Sequence, residues 1–462
     1  MSPSARIEVG IVGAGITGLC IAHFLERRGI GVRVLEMSDR PGGVIRSERV
    51  NEFLFEHGPT SVLKTTPAIE TLLADLAISA SLEYADPRAR RRYIVRGGRL
   101  RQLPLGLVSA VKTDLFSLRA KLRVLKEPFV RPGDPDAEES LAVFVKRRLG
   151  QEMLDYAIDP FVAGVYAGVP EDLSVRAAFP TLYELEQRFG SLIKGAIMGK
   201  RERSKRGADS ETRKGMLSFK GGMQTLVDAL GTRLADSIET GTRLKAVHRS
   251  DSGFLLHLQS AAGAARLRCR AAVLTIPACA YDDVHLDFEP PIHDALKRIT
   301  YPPVSVVFFG YNANPAAVDL RGFGFLVPAR EARGILGTLW NSSVFPGRAP
   351  ANGVALTTYI GGGRSPAAAT ASYDELVAVV QEELRDLLGI ERPADVTVVK
   401  RWPKAIPQYN LGHNRIIESI EQLESRVPGL FVTGNFRGGV SVVDCVDNAR
   451  EVSEQVARAL GQ

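Results

Sequence analysis

The chain has 462 residues, 45% hydrophobic and 24% charged; at roughly 100–200 residues per domain this means two or three domains, and the ordinary balance excludes a disordered or fibrous chain. Lys and Arg outnumber Asp and Glu by 59 to 52, a net charge of +7, but the excess is local. Residues 88–126 hold twelve basic side chains against one acid, Asp114, and residues 199–215 hold seven against three, patches that suit nucleic acid, anionic lipid or an anionic substrate.

In chain order, residues 7–12 form a β-branched run that predicts a short buried strand. Gly13, Gly15 and Gly18 follow as G-x-G-x-x-G, then a helix with Ile16, Leu19, Phe24 and Leu25 on its apolar stripe, ending near Gly29. A second strand at 32–35 closes on Glu36. This is a β–α–β unit in which Gly13 permits the tight turn, Gly15 lets a pyrophosphate approach and Gly18 lets helix and strand pack. The helix N-terminus offers N–H groups and positive potential to the phosphates. Glu36, eighteen residues beyond Gly18, is placed to bind ribose hydroxyls, which argues against a 2′-phosphate and hence against NADP. Arg40 can neutralise phosphate, and Gly42 with Gly43 lets backbone approach a flat, bulky cofactor.

Residues 80–200 are expected to be mostly helical. Leu115, Leu118, Leu122 and Leu125 make one apolar stripe among Arg119, Lys121, Arg123 and Lys126, which predicts a basic amphipathic helix, packed on its own domain or lying in a membrane interface. Residues 199–215 are expected to be a flexible charged loop. A helix should open at 221–227, with strands at 242–247, near the adenine, and at 272–276. Strands are expected at 304–309, 336–340, 354–360 and 396–399, and a helix from Ser372 with a Ser372/Glu375 capping box. A last strand at 430–433 leads through Gly434-Asn435 and Gly438-Gly439 into a helix at 442–460, a second helix N-terminus beside glycines.

Other chemistries find little support. Cys20, Cys269, Cys279 and Cys445 form no C-x-x-C pair, and neither H-E-x-x-H nor G-x-S-x-G occurs, against a zinc ribbon, a dithiol centre and the familiar metalloprotease and hydrolase sites. A reducing compartment fits. No signal region stands at the N-terminus and no apolar run approaches the ~18 residues of a membrane span, so any membrane attachment is expected to be peripheral. No helix-turn-helix, zinc-finger or RRM signature accompanies the basic patches, so no nucleic-acid partner is expected.

The segment Arg40-Pro-Gly42-Gly43-Val-Ile-Arg46-Ser47 resembles the R-x-G-G-x-x-x-S fingerprint of the flavin amine oxidase superfamily. Further matches narrow this. They are Arg92–Gly98 followed by Leu103-Pro104, Phe161–Gly168 followed by Leu173-Ser174, Gly322–Pro328, Leu336–Leu339 and Ile406-Pro-Gln-Tyr-Asn-Leu-Gly-His413. Together they resemble the oxygen-dependent porphyrinogen oxidases, which oxidise protoporphyrinogen IX or, in some bacteria, coproporphyrinogen III.

The resemblance implies an α/β fold: a Rossmann-like discontinuous FAD-binding domain (1–78, 211–284 and 411–462), a helical membrane-associated domain (79–210) and a sheet-based substrate domain (285–410). It implies FAD held by Gly13, Gly15, Ile16, Thr17, Gly18, Glu36, Met37, Arg40, Gly42, Gly43, Val44, Gly58, Pro59, Thr60, Ser61, Leu244, Gly434, Asn435, Val440, Ser441 and Val442. Relatives often have an acid where this chain has Asn435. The tetrapyrrole contacts it implies are Arg96 to a propionate, with Gly168, Leu326, Leu339 and Tyr359. The implied reaction is hydride transfer to flavin N5, reoxidation by dioxygen and release of hydrogen peroxide, three cycles removing six electrons. No general base and no metal is implied. An amine oxidase or carotenoid-type desaturase on the same fold is the second enzyme reading; Cys445 does not sit beside Gly439 as a flavin-tethering cysteine would. The expected setting is the cytoplasm, peripheral on the cytoplasmic face of the inner membrane with its anionic surface, with a homodimer as an option.

Overall fold

The computed structural model describes residues 7–63, 66–205, 215–288 and 292–462. Five short strands form a parallel sheet in the order Ile238–Glu239, Val32–Leu35, Val9–Val12, Ala271–Leu274, Leu430–Val432. Its central strands are buried along their whole length, which is why they read as continuous apolar runs and not as alternating ones. Helices Ile16–Glu26 and Val442–Ala459 cover one face, joined by Leu226 and Leu230 of Gln224–Arg233. A four-stranded sheet covers the other, in the order Gly263–Cys269, Gly253–Ser260, Arg243–Ser250, His285–Leu286. The strand predicted at 242–247 therefore exists, but in this outer layer.

The second large sheet has seven strands: Val396–Trp402, Val304–Tyr311, Val354–Gly361, Gly337–Trp340, Gly324–Leu326, Arg92–Arg96 and Arg99–Gln102. Neighbours are antiparallel except Gly324–Leu326 with Arg92–Arg96. Helix Tyr373–Leu388 packs on one face through Leu376, Val380, Leu384 and Leu388. It starts where the sequence predicts: the Glu375 N–H donates to Ser372 Oγ (3.3 Å) and Ser372 N–H to Glu375 Oε2 (2.8 Å).

Residues 80–200 are mostly helical, as expected, but they also lend strands to this sheet and to a smaller one. The 92–102 hairpin, tight at Gly97 and Gly98 with φ of +59° and +69°, forms the end of the substrate-side sheet. Leu82–Tyr84 pairs with Met216–Phe219. Leu82–Tyr84 is a strand only through a partner more than a hundred residues away, and the hairpin reaches the large sheet through Gly324–Leu326. The charged stretch at 199–215 is also not simply a loop: helix Leu192–Lys205 runs into it, while residues 206–214 lie outside the described residues.

The remaining helices, among them Leu141–Arg148, Asp159–Tyr166 and Pro180–Phe189, pack beside the sheet. Arg148, 0% exposed, is ion-paired at Nε with Glu186 (2.8 Å) and Glu127 (3.2 Å), both buried, and donates to the Val130 and Gly190 carbonyls. Glu127 in turn accepts from the Ser191 hydroxyl and the Leu192 and Ile193 N–H groups. No helix among the described residues is long and apolar enough to cross a membrane. Removing one charge from a cluster this dry leaves the others uncompensated, so Arg148→Met should destabilise the fold by about 3–5 kcal/mol; chemical denaturation monitored by circular dichroism would measure it.

Candidate functional site: a dinucleotide cradle and a sheet face

The carboxyl edge of the parallel sheet brings together sequence-distant loops. Gly13 has φ +103° and Gly15 caps helix Ile16–Glu26. A Cβ at Gly18 would run into the Gly13 carbonyl and stand 2.8 Å from Thr275 Oγ1, whereas one at Gly15 would meet nothing within 4 Å. Helix and turn are thus in contact at Gly18, and open space remains above Gly15, where a phosphate can approach the helix N-terminus. Glu36 lies beside this space. Its Oε2 accepts from Ala14 N–H (2.8 Å) and its Oε1 from Ser38 N–H (2.8 Å) and the Ser38 hydroxyl (2.6 Å). Those bonds fix both oxygens at the mouth of the cradle and leave lone pairs for a diol.

The R-x-G-G segment closes the cradle. Gly42 N–H donates to the Ala14 carbonyl (2.7 Å), and a Cβ at Gly43 would stand 3.3 Å from the Gly15 Cα. Arg40 holds this loop in place: its Nη1 donates to the Pro41 and Ile45 carbonyls and its Nη2 to that of Gly43. Its charge sits near the cradle, as expected, but three of its five N–H groups are spent on backbone. A Cβ at Gly58 would strike the Val44 carbonyl, so Gly58, Pro59, Thr60 and Ser61 run along the same loop. Met37 and Val44 are 57% and 46% exposed; apolar side chains uncovered at the mouth fit the faces of a flat ligand. Leu244 is buried against Leu35 in the layer behind the acid.

The C-terminal loop completes the edge. The Tyr409 hydroxyl donates to the Asn435 carbonyl (3.0 Å) and accepts from Gly439 N–H (2.8 Å). His413 stacks on Tyr409, ring centroids 4.1 Å apart at 12°, and burial pushes its imidazole down to about 4. The Ile406–His413 motif is therefore a latch that fixes residues 434–440, a role its sequence alone does not disclose. Ser441 then caps helix Val442–Ala459 through Asp444 N–H (3.1 Å), presenting Val440, Ser441 and Val442 at a helix N-terminus. Cys445 is buried, and desolvation pushes its thiol up to about 11, so it is no candidate for a covalent tether. Thr275, absent from the expected set, donates to the Val12 and Gly13 carbonyls (both 2.9 Å); its sequence signal was its place directly after an apolar strand. Glu56 was missed as well. It accepts from Met223 N–H (2.9 Å) and Ser47 Oγ (2.6 Å), joining the first and middle segments, and burial pushes its carboxyl up to about 7.

The expected tetrapyrrole contacts lie on one face of the seven-stranded sheet, where Gly324 and Gly337 are buried. Leu326 pairs with Gly337 and Gly337 with Tyr359, while Leu339 pairs with Gly324. Paired residues and residues two apart share a face, so Leu326, Leu339 and Tyr359 surround Gly324 and Gly337. This is the face turned to Phe53, Phe55, Ala163 and Ala167, not to helix Tyr373–Leu388. Burial raises the Tyr359 phenol above its usual range. Ile94 is in register with Leu326, which puts Arg96 on the same face.

Two expected contacts are arranged differently. Arg96 Nη1 donates to Glu152 Oε1 (2.6 Å) and to the Leu115 carbonyl, and its guanidinium lies 4.3 Å from the centre of the Tyr156 ring. It is thus paired with a carboxylate of the chain itself, keeping Nε and Nη2 for another acceptor. Gly168 ends the Phe161–Gly168 motif, and a Cβ there would strike Gln408 Oε1. Gln408 is itself fixed by the Tyr166 (2.8 Å) and Ile406 (3.0 Å) carbonyls. Gly168 is therefore required by the latch, whatever else it touches.

Residues 16–457 match the family model described as flavin containing amine oxidoreductase. The chain is 35% identical over 479 residues to the chloroplastic protoporphyrinogen oxidase of Nicotiana tabacum, covering 100% of this chain and 87% of that protein. It is 28% identical to the coproporphyrinogen III oxidase of Bacillus subtilis, covering 96% of each. A crystal structure of a provisionally named protoporphyrinogen oxidase from Exiguobacterium superposes with a TM-score of 0.81 at 24% identity, covering 99% and 100%. A putrescine oxidase structure gives 0.73 at 17% identity, covering 98% and 99%. The last two show the shared fold.

The cradle fits FAD: an open approach above Gly15, a fixed acid for the ribose and uncovered apolar side chains for the rings. When bound, FAD supplies the two-electron acceptor. Gly18→Ala should force helix and turn apart and release it; the purified variant should lack the flavin absorbance near 450 nm that the unaltered protein shows.

Proposed function

We propose, for a chain that belongs to the flavin-containing amine oxidoreductase family and within it to the porphyrinogen oxidases, that it oxidises protoporphyrinogen IX to protoporphyrin IX in haem synthesis. The observation that carries this reading is the sheet face on which Leu326, Leu339, Tyr359 and Arg96 come together around Gly324 and Gly337. Leu326, Leu339 and Tyr359 hold the macrocycle by apolar contact, and Arg96 takes a propionate through Nε and Nη2. The chain's part in catalysis is to position the substrate, keep water out and hold the cofactor loop rigid through Tyr409. Dioxygen is the final acceptor in this reading.

Coproporphyrinogen III is the second reading, favoured by the match along nearly all of the Bacillus subtilis oxidase. The higher identity to the plant enzyme supports the first. Purified, flavin-loaded protein should turn protoporphyrinogen into fluorescent porphyrin under air with stoichiometric peroxide. Folded, flavin-loaded protein that oxidises neither porphyrinogen would sink both readings.

The setting we propose is an anionic membrane surface on the cytoplasmic side. Helix Leu118–Leu125 turns its stripe outward: Leu118, Leu122 and Leu125 are 72%, 51% and 69% exposed, and only Leu115, before the helix, is buried. Lys121 ties this helix to the Val111 and Thr113 carbonyls (2.7 and 2.6 Å), beside the exposed Val108 and Val111. Exposed Lys112, Arg119 and Lys126 rim the patch. Apolar side chains beside cations suit an interface with anionic headgroups. Protein should sediment with phosphatidylserine vesicles and less with phosphatidylcholine, and Leu118→Glu with Leu125→Glu should abolish it; equal sedimentation of that variant would contradict the assignment.

A further inference from the structure

Arg96 is not alone at the edge of the substrate face. Glu152 Oε1 accepts from Arg96 Nη1 (2.6 Å) and from Ser117 N–H (2.7 Å), and its Oε2 accepts from the Ser117 hydroxyl (2.5 Å). Burial works against the Glu152 charge, but the Ser117 hydroxyl, the Ser117 amide and Arg96 outweigh it and hold the carboxyl below its usual range. Glu152 therefore stays ionised at neutral pH. Arg96 and Glu152 are 28% and 23% exposed, close enough to the surface for their charges to act on an arriving anion.

From this geometry we infer that Glu152 is a positioning residue that sets how many substrate carboxylates the site accepts. The inference rests on the porphyrinogen reading. An isolated arginine beside this sheet face would draw in every propionate within reach. Paired with Glu152 it is close to neutral as a unit: one propionate still finds directed N–H groups on Nε and Nη2, while any further carboxylate nearby meets the fixed negative charge. Protoporphyrinogen carries two propionates and coproporphyrinogen four, so Glu152 works against the second substrate more than the first. The same carboxylate is held by the amide and hydroxyl of Ser117, the residue that caps helix Leu118–Leu125, which fixes its place and keeps it from swinging away when substrate enters.

The test is a charge cycle on the flavin-loaded enzyme, reading the ratio of kcat/KM for protoporphyrinogen to that for coproporphyrinogen. Glu152→Gln keeps an acceptor for Arg96 and Ser117 and removes only the charge. It should lower the ratio roughly 3- to 10-fold, through a smaller KM for coproporphyrinogen with kcat unchanged. Arg96→Gln leaves Glu152 unopposed and should raise the ratio. The double variant, neutral like the natural pair, should return to within about twofold of the unaltered enzyme. Should Glu152→Gln fail to fold, the Arg96→Gln arm decides: a raised ratio supports the inference and a flat one overturns it. An enzyme that oxidises a porphyrinogen but whose ratio ignores these changes, or whose kcat falls equally for both substrates, overturns this inference alone. An enzyme inactive on both overturns the functional reading and this inference with it.

Discussion

The five-stranded parallel sheet is the constraint on which everything else depends. Its strands come from the first, middle and last parts of the chain, and Val9–Val12 pairs with both Val32–Leu35 and Ala271–Leu274. Every strand is parallel, so every carboxyl end lies on one edge. The chain leaves that edge at Gly13, Glu36, Thr275 and Thr433, and the loops that follow have nowhere to begin except around a common crevice. Ligands of open α/β sheets bind in such crevices. The long excursions between the strands build the seven-stranded sheet and the helices.

Glycine serves different ends in the cradle and in the seven-stranded sheet. At Gly18 the missing Cβ lets helix and turn touch, because the Gly13 carbonyl already occupies the place. At Gly324 and Gly337 backbone φ values of +136° and +158° combine with cross-strand carbonyls that a Cβ would meet. Tyr409 and Gln408 act from one motif on two elements. Tyr409 spans Asn435 and Gly439, and Gln408 holds the end of helix Asp159–Tyr166 against Gly168. The motif thus couples the cofactor loop to the helix that packs on Leu326 through Gly164.

The nucleotide half was legible in the sequence because its signals are local. Gly13, Gly15, Gly18 and Glu36 belong to one β–α–β unit whose spacing carries its own geometry, and Ser372 with Glu375 marks a helix start in four residues. Signals that depend on distant partners were not legible. The 92–102 hairpin joins the large sheet through Gly324–Leu326, and nothing in its arginine-rich sequence announces that neighbour. Arg96 was visible as a cation in a suitable motif, but Glu152, fifty-six residues on, was not visible as its partner. Arg40 shows the converse: the residue stands at the expected place and spends most of its donors on the loop that carries it. The leucine stripe at 118–125 was legible as amphipathic, but only the fold decides which way it faces.

The central claim is that a tetrapyrrole is held by the sheet face of Leu326, Leu339, Tyr359 and Arg96. A crystal structure of the flavin-loaded protein with a bound porphyrin tests it directly. The account predicts a macrocycle in contact with Leu326, Leu339 and Tyr359, with one propionate on Arg96. A macrocycle bound on the face covered by helix Tyr373–Leu388, or away from Leu326, Leu339 and Tyr359 altogether, would contradict it.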